Sequence, residues 1–339
     1  MTATTLAAAE LMTAGQGILA ADESVTTMDA RLRLAGVRPG PDSRRAYREM
    51  LITTPGLHRG ISGVILCDET FRQRLADGRA FPEALAERGI VPGIKVDTGA
   101  KPLAGSPGET VTEGLDGLRA RLAGYRELGA RFAKWRAVIR IGGARPSWPA
   151  LHANAHALAR YTWLCHEEGL VPIVEPEVLM EGAHGPGYCQ DVTSAALLVT
   201  FGELRDAGVA LDALVLKPNM VVPGADCPEL VPPEVVAEQT MAALRCVVPA
   251  EVAGIAFLSG GQSPARATAN LAAIRRLAAP WPVTFSFGRA LVDPALATWH
   301  GDPSRVAAGQ QALANRVACN VAALLGSYAP ILEPSYVLA

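Results

Sequence analysis

Short apolar runs recur along the chain, each closed by turn residues, and each reads as a β-strand. They are GILAAD (17–22), ISGVILCD (61–68), VPGIKVD (91–97), FAKWRAVI (132–139), VPIVEPEV (171–178), ALVLKPNM (213–220), GIAFLSG (254–260) and PVTFSFG (282–288). Between them, apolar residues recur at helical spacing. Leu115, Leu118, Leu122, Tyr125 and Leu128 fall on one face, as do Leu151, Ala155, Leu158 and Cys165. Ser263-Pro264 offers an N-cap followed by proline in the first turn, and Pro303-Ser304 opens the last long helix. Strands that alternate with helices pair in parallel through crossovers. Eight such units in 339 residues predict a single-domain α/β protein, a (β/α)8 TIM barrel. A doubly wound open sheet is the rival, but no G-x-G-x-x-G opens the first βα turn. The barrel is expected over 1–325, with a short C-terminal tail over 326–339.

Composition adds limits. Hydrophobic residues make up 50% of the chain and charged ones 19%, which suits a soluble protein with a large core. The formal net charge is −2 and no block of like charge stands out, which argues against nucleic-acid or membrane-surface partners. No apolar run approaches the roughly 20 residues of a membrane span. Cys67, Cys165, Cys189, Cys227, Cys246 and Cys319 form no C-x-x-C, so neither a zinc knuckle nor a disulfide framework is indicated. A reduced, cytoplasmic protein is the expectation.

Polar residues change the picture further. Residues two apart share a strand face. Asp22 therefore joins Ile18 and Ala20, Lys95 joins Asp97, Lys134 joins Arg136, Glu175 joins Glu177, and Lys217 joins Val215. These charges lie towards the C-terminal ends of their strands, where barrel enzymes place their chemistry. Pro176 and Pro218 suit strand ends as well. Burying unpaired charge costs several kcal/mol, on the order of one to several per group, and a purely structural barrel would use Val, Ile or Leu here.

Cations Lys95, Lys134, Arg136, Lys217 and Arg289 outnumber the carboxylates Asp22, Glu175 and Glu177, so an anionic substrate would balance the set. Desolvation and neighbouring cations favour the neutral, nucleophilic form of an amine. A lysine nucleophile implies an iminium with a ketone or aldehyde, and hence C–C bond chemistry beside a carbonyl, with carboxylates moving protons. LSGGQS (258–263) and FGRAL (287–291) follow strands seven and eight, the usual phosphate position in this fold. His152 and His156 lie four apart on a helix, but further metal ligands are not evident, so no metal is expected. Arg44-Arg45 and Glu167-Glu168 read as solvated helix charges, and Trp135 as a core residue.

GILAADES, GIKVD, FAKWR, PIVEPE, LVLKPNM, FLSGGQS and SFGRAL, in this order, resemble class I fructose-bisphosphate aldolase from about Gly17 to about Cys319. The resemblance implies reversible cleavage of fructose 1,6-bisphosphate to dihydroxyacetone phosphate and glyceraldehyde 3-phosphate in glycolysis and gluconeogenesis. It implies no cofactor and a homotetramer. Lys217 would form the Schiff base, with Glu175 as acid/base and Lys134 beside it. Asp22 would assist proton transfer at the C3–C4 cleavage and Glu177 would support the lysines. Lys95 and Arg136 would bind substrate. Ser259, Gly260, Gly261, Ser286, Gly288 and Arg289 would hold the ketone-side phosphate, and Arg31 the distal one, with Ser24 and Thr27 nearby.

The chain departs from the family pattern in places. Val25-Thr26-Thr27 replaces the usual Thr-Gly-Ser, Ala30 stands where a basic residue is common, and Phe287 replaces a frequent tyrosine. The altered 25–30 segment leaves room for sugar 1-phosphates, and another lysine-dependent barrel with a different phosphorylated or keto-acid substrate is the alternative. Eukaryotic members end on a tyrosine that enters the site; in the shortened tail here, the two readings of Tyr336 are a substitute for that tyrosine and a residue that packs the tail down.

Overall fold

Strand alternation sorts the side chains of this protein into two cores, and that sorting fixes where the site can form. The computed structural model describes residues 2–333, so Tyr336 lies outside the described residues. The strands are β1 (Gly17–Ala21), β2 (Ile61–Leu66), β3 (Val91–Lys95), β4 (Gly99–Pro102), β5 (Thr110–Glu113), β6 (Phe132–Ile139), β7 (Val171–Val178), β8 (Val215–Leu216), β9 (Gly254–Phe257) and β10 (Val283–Phe287). Eight of them close a parallel barrel in the order β1-β10-β9-β8-β7-β6-β3-β2, while β4 and β5 form a separate antiparallel hairpin. The fold is the TIM barrel expected from the alternation of strands and helices.

The inward set is Ile18, Ala20, Ile65, Val91, Phe132, Val171, Ile173, Val215 and Ala256, an apolar plug in the N-terminal half of the barrel. Ala8 and Leu11 of the helix Ala3–Leu11, with Met12 behind them, pack onto this cluster and stopper the lower mouth. Phe132 fills the centre because its neighbours give it room. A Cβ on Gly93 would clash with the Phe132 ring at 2.1 Å, and one on Gly63 would lie 3.1 Å from it. The outward set, including Leu19, Val64, Ile94, Trp135, Val174, Leu216, Ile255, Phe285 and Phe287, joins the larger core under the surrounding helices. Trp135 is fully buried, with its ring centroid 5.6 Å from that of Tyr161.

Some expected details change. The run 213–220 keeps only two strand residues, because Leu211–Ala213 forms a 3-10 turn and Pro218 has no N–H. The ladder nevertheless continues: Lys217 N donates to Val174 O at 2.8 Å, and Leu258 N to Pro218 O at 3.0 Å. Leu128 is 45% exposed, since it lies past the last turn of the helix Leu118–Glu127. Arg44 is not a solvated charge. It is buried and donates to Glu69 at 2.7 and 2.6 Å and to Asp29 at 2.6 Å, tying three helices together. Its neighbour Arg45 pairs with Glu49 one turn along, and Glu167 pairs with Arg119 at the surface.

The helix Val306–Leu324 closes the outer ring, opened by a 3-10 turn at Pro303–Arg305. Buried Arg316 on it pairs with Glu333, and Tyr328 Oη donates to Glu333 at 2.8 Å. Among the described residues no helix is long and apolar enough to cross a membrane.

Candidate active site

A cavity of about 480 Å³ opens at the C-terminal end of the barrel, above the apolar plug. Apart from Tyr336, which lies outside the described residues, the catalytic and substrate-binding candidates named from the sequence line it: Asp22, Ser24, Thr27, Arg31, Lys95, Lys134, Arg136, Glu175, Glu177, Lys217, Ser259, Gly260, Gly261, Ser286, Gly288 and Arg289. Register explains the convergence. Lys95 pairs with Lys134 across β3 and β6, and Arg136 with Glu175 across β6 and β7. Lys217 follows Leu216, which pairs with Val174, so it stands at the level of Glu175.

The centre is a buried chain of alternating charge. Lys134 Nζ lies 2.9 Å from Asp22 Oδ2 and 2.6 Å from Glu175 Oε2, and Lys217 Nζ lies 3.1 Å from Glu175 Oε1. Burial pushes the Asp22 carboxyl upward, but Lys134, Lys217 and Lys95 together override it and hold the group well below the usual carboxylate range. Glu175 behaves alike: burial raises it, and Lys134, Lys217 and Arg136 bring it below its ordinary value. For Lys134, burial alone would lower the ammonium, yet Asp22, Glu175 and Asp97 drive it well above the usual lysine range. Lys134 is therefore a cation held between two ionised carboxylates in the resting site.

Further pairs surround this chain. Arg136 binds Glu177 at the cavity wall. Asp97 holds Lys95 at 2.7 Å and also accepts from the backbone N–H of Gly99 at 3.1 Å and of Arg136 at 3.2 Å. It fixes the start of the β4–β5 hairpin at the rim.

The ketone-side anion site has different materials. Ser259, Gly260 and Gly261 turn sharply after β9, with φ of +56° at Gly260 and +83° at Gly261, which only glycine adopts readily. Ser286 reaches the cavity from β10 with its buried hydroxyl unpaired among the described residues. Such a group calls for a ligand acceptor or donor. Gly288 and Arg289 begin the next helix, Arg289–Trp299. Phe287 points away from the cavity into the outer core, so its missing hydroxyl is no loss to this wall.

On the opposite side, Ser24 caps the helix Val25–Leu34, accepting from Thr27 N at 3.2 Å, with the two hydroxyls 2.9 Å apart. Arg31 on that helix pairs with Glu23 and, at 2.6 Å, with Asp293. Buried Arg48 donates to Ala21 O at 3.1 Å, Glu23 O at 2.7 Å and Thr70 Oγ1 at 3.0 Å, clasping the backbone on both sides of Asp22. Glu23, Arg48 and Asp293 are residues that sequence reasoning did not single out, and Asp97, placed on the inward face with Lys95, was given no role there. Glu23 and Asp97 lie one or two positions from candidates and line the cavity, a signal that could have found them. Arg48 and Asp293 sit on helices, where nothing distinguishes them from solvated charges. His152 and His156 lie outside the cavity, each with Nδ1 3.0 Å from a different oxygen of Glu203.

Comparison with known proteins agrees with this geometry. Residues 4–336 match the family model described as fructose-bisphosphate aldolase class-I. The chain is 52% identical over 316 residues to a probable fructose-bisphosphate aldolase class 1 of Xanthomonas campestris pv. campestris, covering 93% of this chain and 95% of that one. It is 50% identical over 323 residues to the cytosolic fructose-bisphosphate aldolase 4 of Arabidopsis thaliana, covering 95% and 82%. Among solved structures, the fructose-bisphosphate aldolase of Plasmodium falciparum, in complex with TRAP and a small-molecule inhibitor, superposes with a TM-score of 0.95. That pair is 41% identical, over 96% of this chain and 95% of the other. Kinship at this level, continuous through the barrel and its charged mouth, makes the chain a member of the class I fructose-bisphosphate aldolase family.

Proposed function

We propose that Lys217 carries the Schiff base and that Glu175, Lys134 and Asp22 move and steady the protons around it. The activity itself is that of a fructose-bisphosphate aldolase, a lyase of glycolysis acting on sugar phosphates through the Schiff base characteristic of class I. The observation that carries the assignment of roles is the buried sequence Asp22–Lys134–Glu175–Lys217, with one carboxylate 3.1 Å from the amine.

The Lys217 amine attacks C2 of the ketose. The C–N bond forms, the carbonyl π pair moves to oxygen, which takes up a proton from solvent, and the nitrogen loses one to Glu175. Glu175 returns that proton to the new hydroxyl, which leaves as water, and the nitrogen lone pair completes the iminium. Asp22, kept ionised by the lysines around it, takes the proton from the C4 hydroxyl. The C3–C4 bond breaks, its electrons enter the iminium to give the enamine, and glyceraldehyde 3-phosphate departs. Protonation at C3 and addition of water release dihydroxyacetone phosphate and the free lysine. Glu177 holds Arg136 at the wall, where it and Lys95 meet substrate hydroxyls. Ser259, Gly260, Gly261, Ser286, Gly288 and Arg289 take the ketone-side phosphate, and Arg31 with Ser24 and Thr27 takes the distal one.

Relatives named as cytosolic or cytoplasmic support assignment to the cytoplasm. A homotetramer rests on family likeness, and light scattering on the purified protein tests it. The roles are tested by borohydride reduction with dihydroxyacetone phosphate in excess EDTA, followed by intact mass and peptide mapping. The expected result is one adduct on the Lys217 peptide, absent in Lys217→Ala, which keeps its fold and loses cleavage. An adduct elsewhere, or normal turnover by Lys217→Ala, overturns the assignment.

A further inference from the structure

The two arginines of the phosphate subsites keep different company. Arg289 lines the cavity beside Gly261 and makes no ion pair among the described residues. Arg31 is clamped on both terminal nitrogens, by Glu23 at Nη1 and by Asp293 at 2.6 Å on Nη2. Glu23 has a second cation to lean on, since Arg48 Nη2 lies 3.6 Å from its Oε2. In this group of four, the charges of Arg31 and Arg48 are cancelled by those of Glu23 and Asp293. The guanidinium at the distal subsite is thus already engaged by carboxylates before any ligand arrives, whereas the ketone-side subsite offers a guanidinium with no direct ion pair, on which Asp293 acts only at longer range, together with backbone N–H groups.

Asp293 links the two. It lies one turn after Arg289 on the helix Arg289–Trp299, and its side chain reaches across to Arg31. It is not among the residues that line the cavity; it reaches the site through its ion pair with Arg31, and the charge of Arg289 on its own helix also acts on it. A phosphate approaching Arg31 meets a guanidinium already engaged by two carboxylates and must share it with them. We propose that Asp293 is a specificity-determining positioning residue that weakens the distal phosphate grip, so that this aldolase depends mainly on the ketone-side phosphate and accepts ketose 1-phosphates with little penalty. The proposal rests on the reading of Arg31 as the distal phosphate residue.

The measurement is the ratio of kcat/KM for fructose 1,6-bisphosphate to that for fructose 1-phosphate, in wild type, Asp293→Asn, Asp293→Ser and Arg31→Met. Asparagine keeps an acceptor for Arg31 Nη2 and removes only the charge. The ratio in Asp293→Asn is expected to rise about three- to tenfold, through a lower KM for the bisphosphate with kcat unchanged, and the gain should shrink as salt is raised. Far-UV circular dichroism and the urea midpoint report that each variant is folded, and the change in the Asp293 variants is expected to be larger for the bisphosphate than for fructose 1-phosphate. Asp293→Ser is expected to raise the ratio as well. An unchanged or lower ratio in both Asp293 variants, while Arg31→Met abolishes the bisphosphate preference, overturns the role of Asp293 and leaves Arg31 in its subsite. A ratio unmoved in Arg31→Met overturns the subsite reading, and the proposal with it.

Discussion

At the scale of single residues, Lys134 is the cation that joins the two central carboxylates. Its ammonium lies within 3 Å of both Asp22 and Glu175, and all three are buried. Lys134→Met would leave two carboxylates facing each other with Lys217 as their nearest remaining cation. Breaking a buried pair by removing one partner costs about 3–5 kcal/mol, because the survivor is left charged and dry. The urea midpoint of Lys134→Met should fall accordingly at pH 7, and Asp22→Asn added to it should recover part of the loss. Equal midpoints for wild type and the single variant would mean that the three groups are not energetically coupled. The same physics explains what could be read from the sequence. A charge on the inward face of a strand end is conspicuous, because apolar residues are the rule there, so Lys95, Lys134, Arg136, Glu175, Glu177 and Lys217 stand out, whereas Glu23 beside Asp22 does not. Charges on helices are ordinary. Arg44, Arg45 and Arg48 share one helix, and only the fold reveals that Arg44 and Arg48 are buried.

Elements were legible wherever burial imposes a period. β6 and β7 have the bounds expected from their sequence, since both run between a packed outer face and a filled interior. The β4–β5 hairpin was not foreseen. Its strands carry no apolar alternation and β4 is mostly exposed; they are held by pairing with each other, by Asp97 at their base and by buried Asn154, which accepts from Thr112 N at 3.1 Å and donates to Thr110 O at 2.8 Å. Its position has meaning for function, because Gly99 and Ala100 form part of the cavity rim. Two glycines separate packing from propensity at this scale. A methyl on Gly93 would enter the space of the Phe132 ring, which the barrel interior encloses on all sides. Gly93→Ala should therefore destabilise by about 1–3 kcal/mol or more, the usual range for overpacking. Gly124 lies within the helix Leu118–Glu127 with nothing within 4 Å of the added carbon. Gly124→Ala should stabilise by about 0.5–1 kcal/mol through helix propensity alone. Urea midpoints of the two variants that moved in the same direction would refute this division.

For the molecule as a whole, the same buried charges that serve the reaction set the pH range of folding. Asp22 and Glu175 are held below their ordinary values of 3.8 and 4.5, so in acid the unfolded chain takes up protons that the folded chain refuses. Their contribution is present above those values and is lost as pH falls through the lower, folded ones. His166 adds to the acid side, because burial lowers it from 6.5 and the folded state resists charging it. The alkaline side has other causes. Burial pushes up the Cys165 thiol from 9.0 and the Tyr161 hydroxyl from 10.0, so these contributions are complete below the ordinary values and are lost as pH rises past them. Stability should be broadest between about pH 7 and pH 9, decline from about pH 6.5 downward, and drop steeply below about pH 4.5. Urea midpoints measured across that range test the shape. A midpoint constant from neutral pH down to the ordinary carboxylate values and below would mean that Asp22 and Glu175 protonate as readily in the folded barrel as outside it. The lysines would then not be holding them ionised. Catalysis carries the complementary sign. Because Asp22 and Glu175 start ionised, their titration should not limit kcat/KM on the acid side until pH falls below the usual carboxylate range, and Lys134→Met should move that limit upward by removing the cation they share.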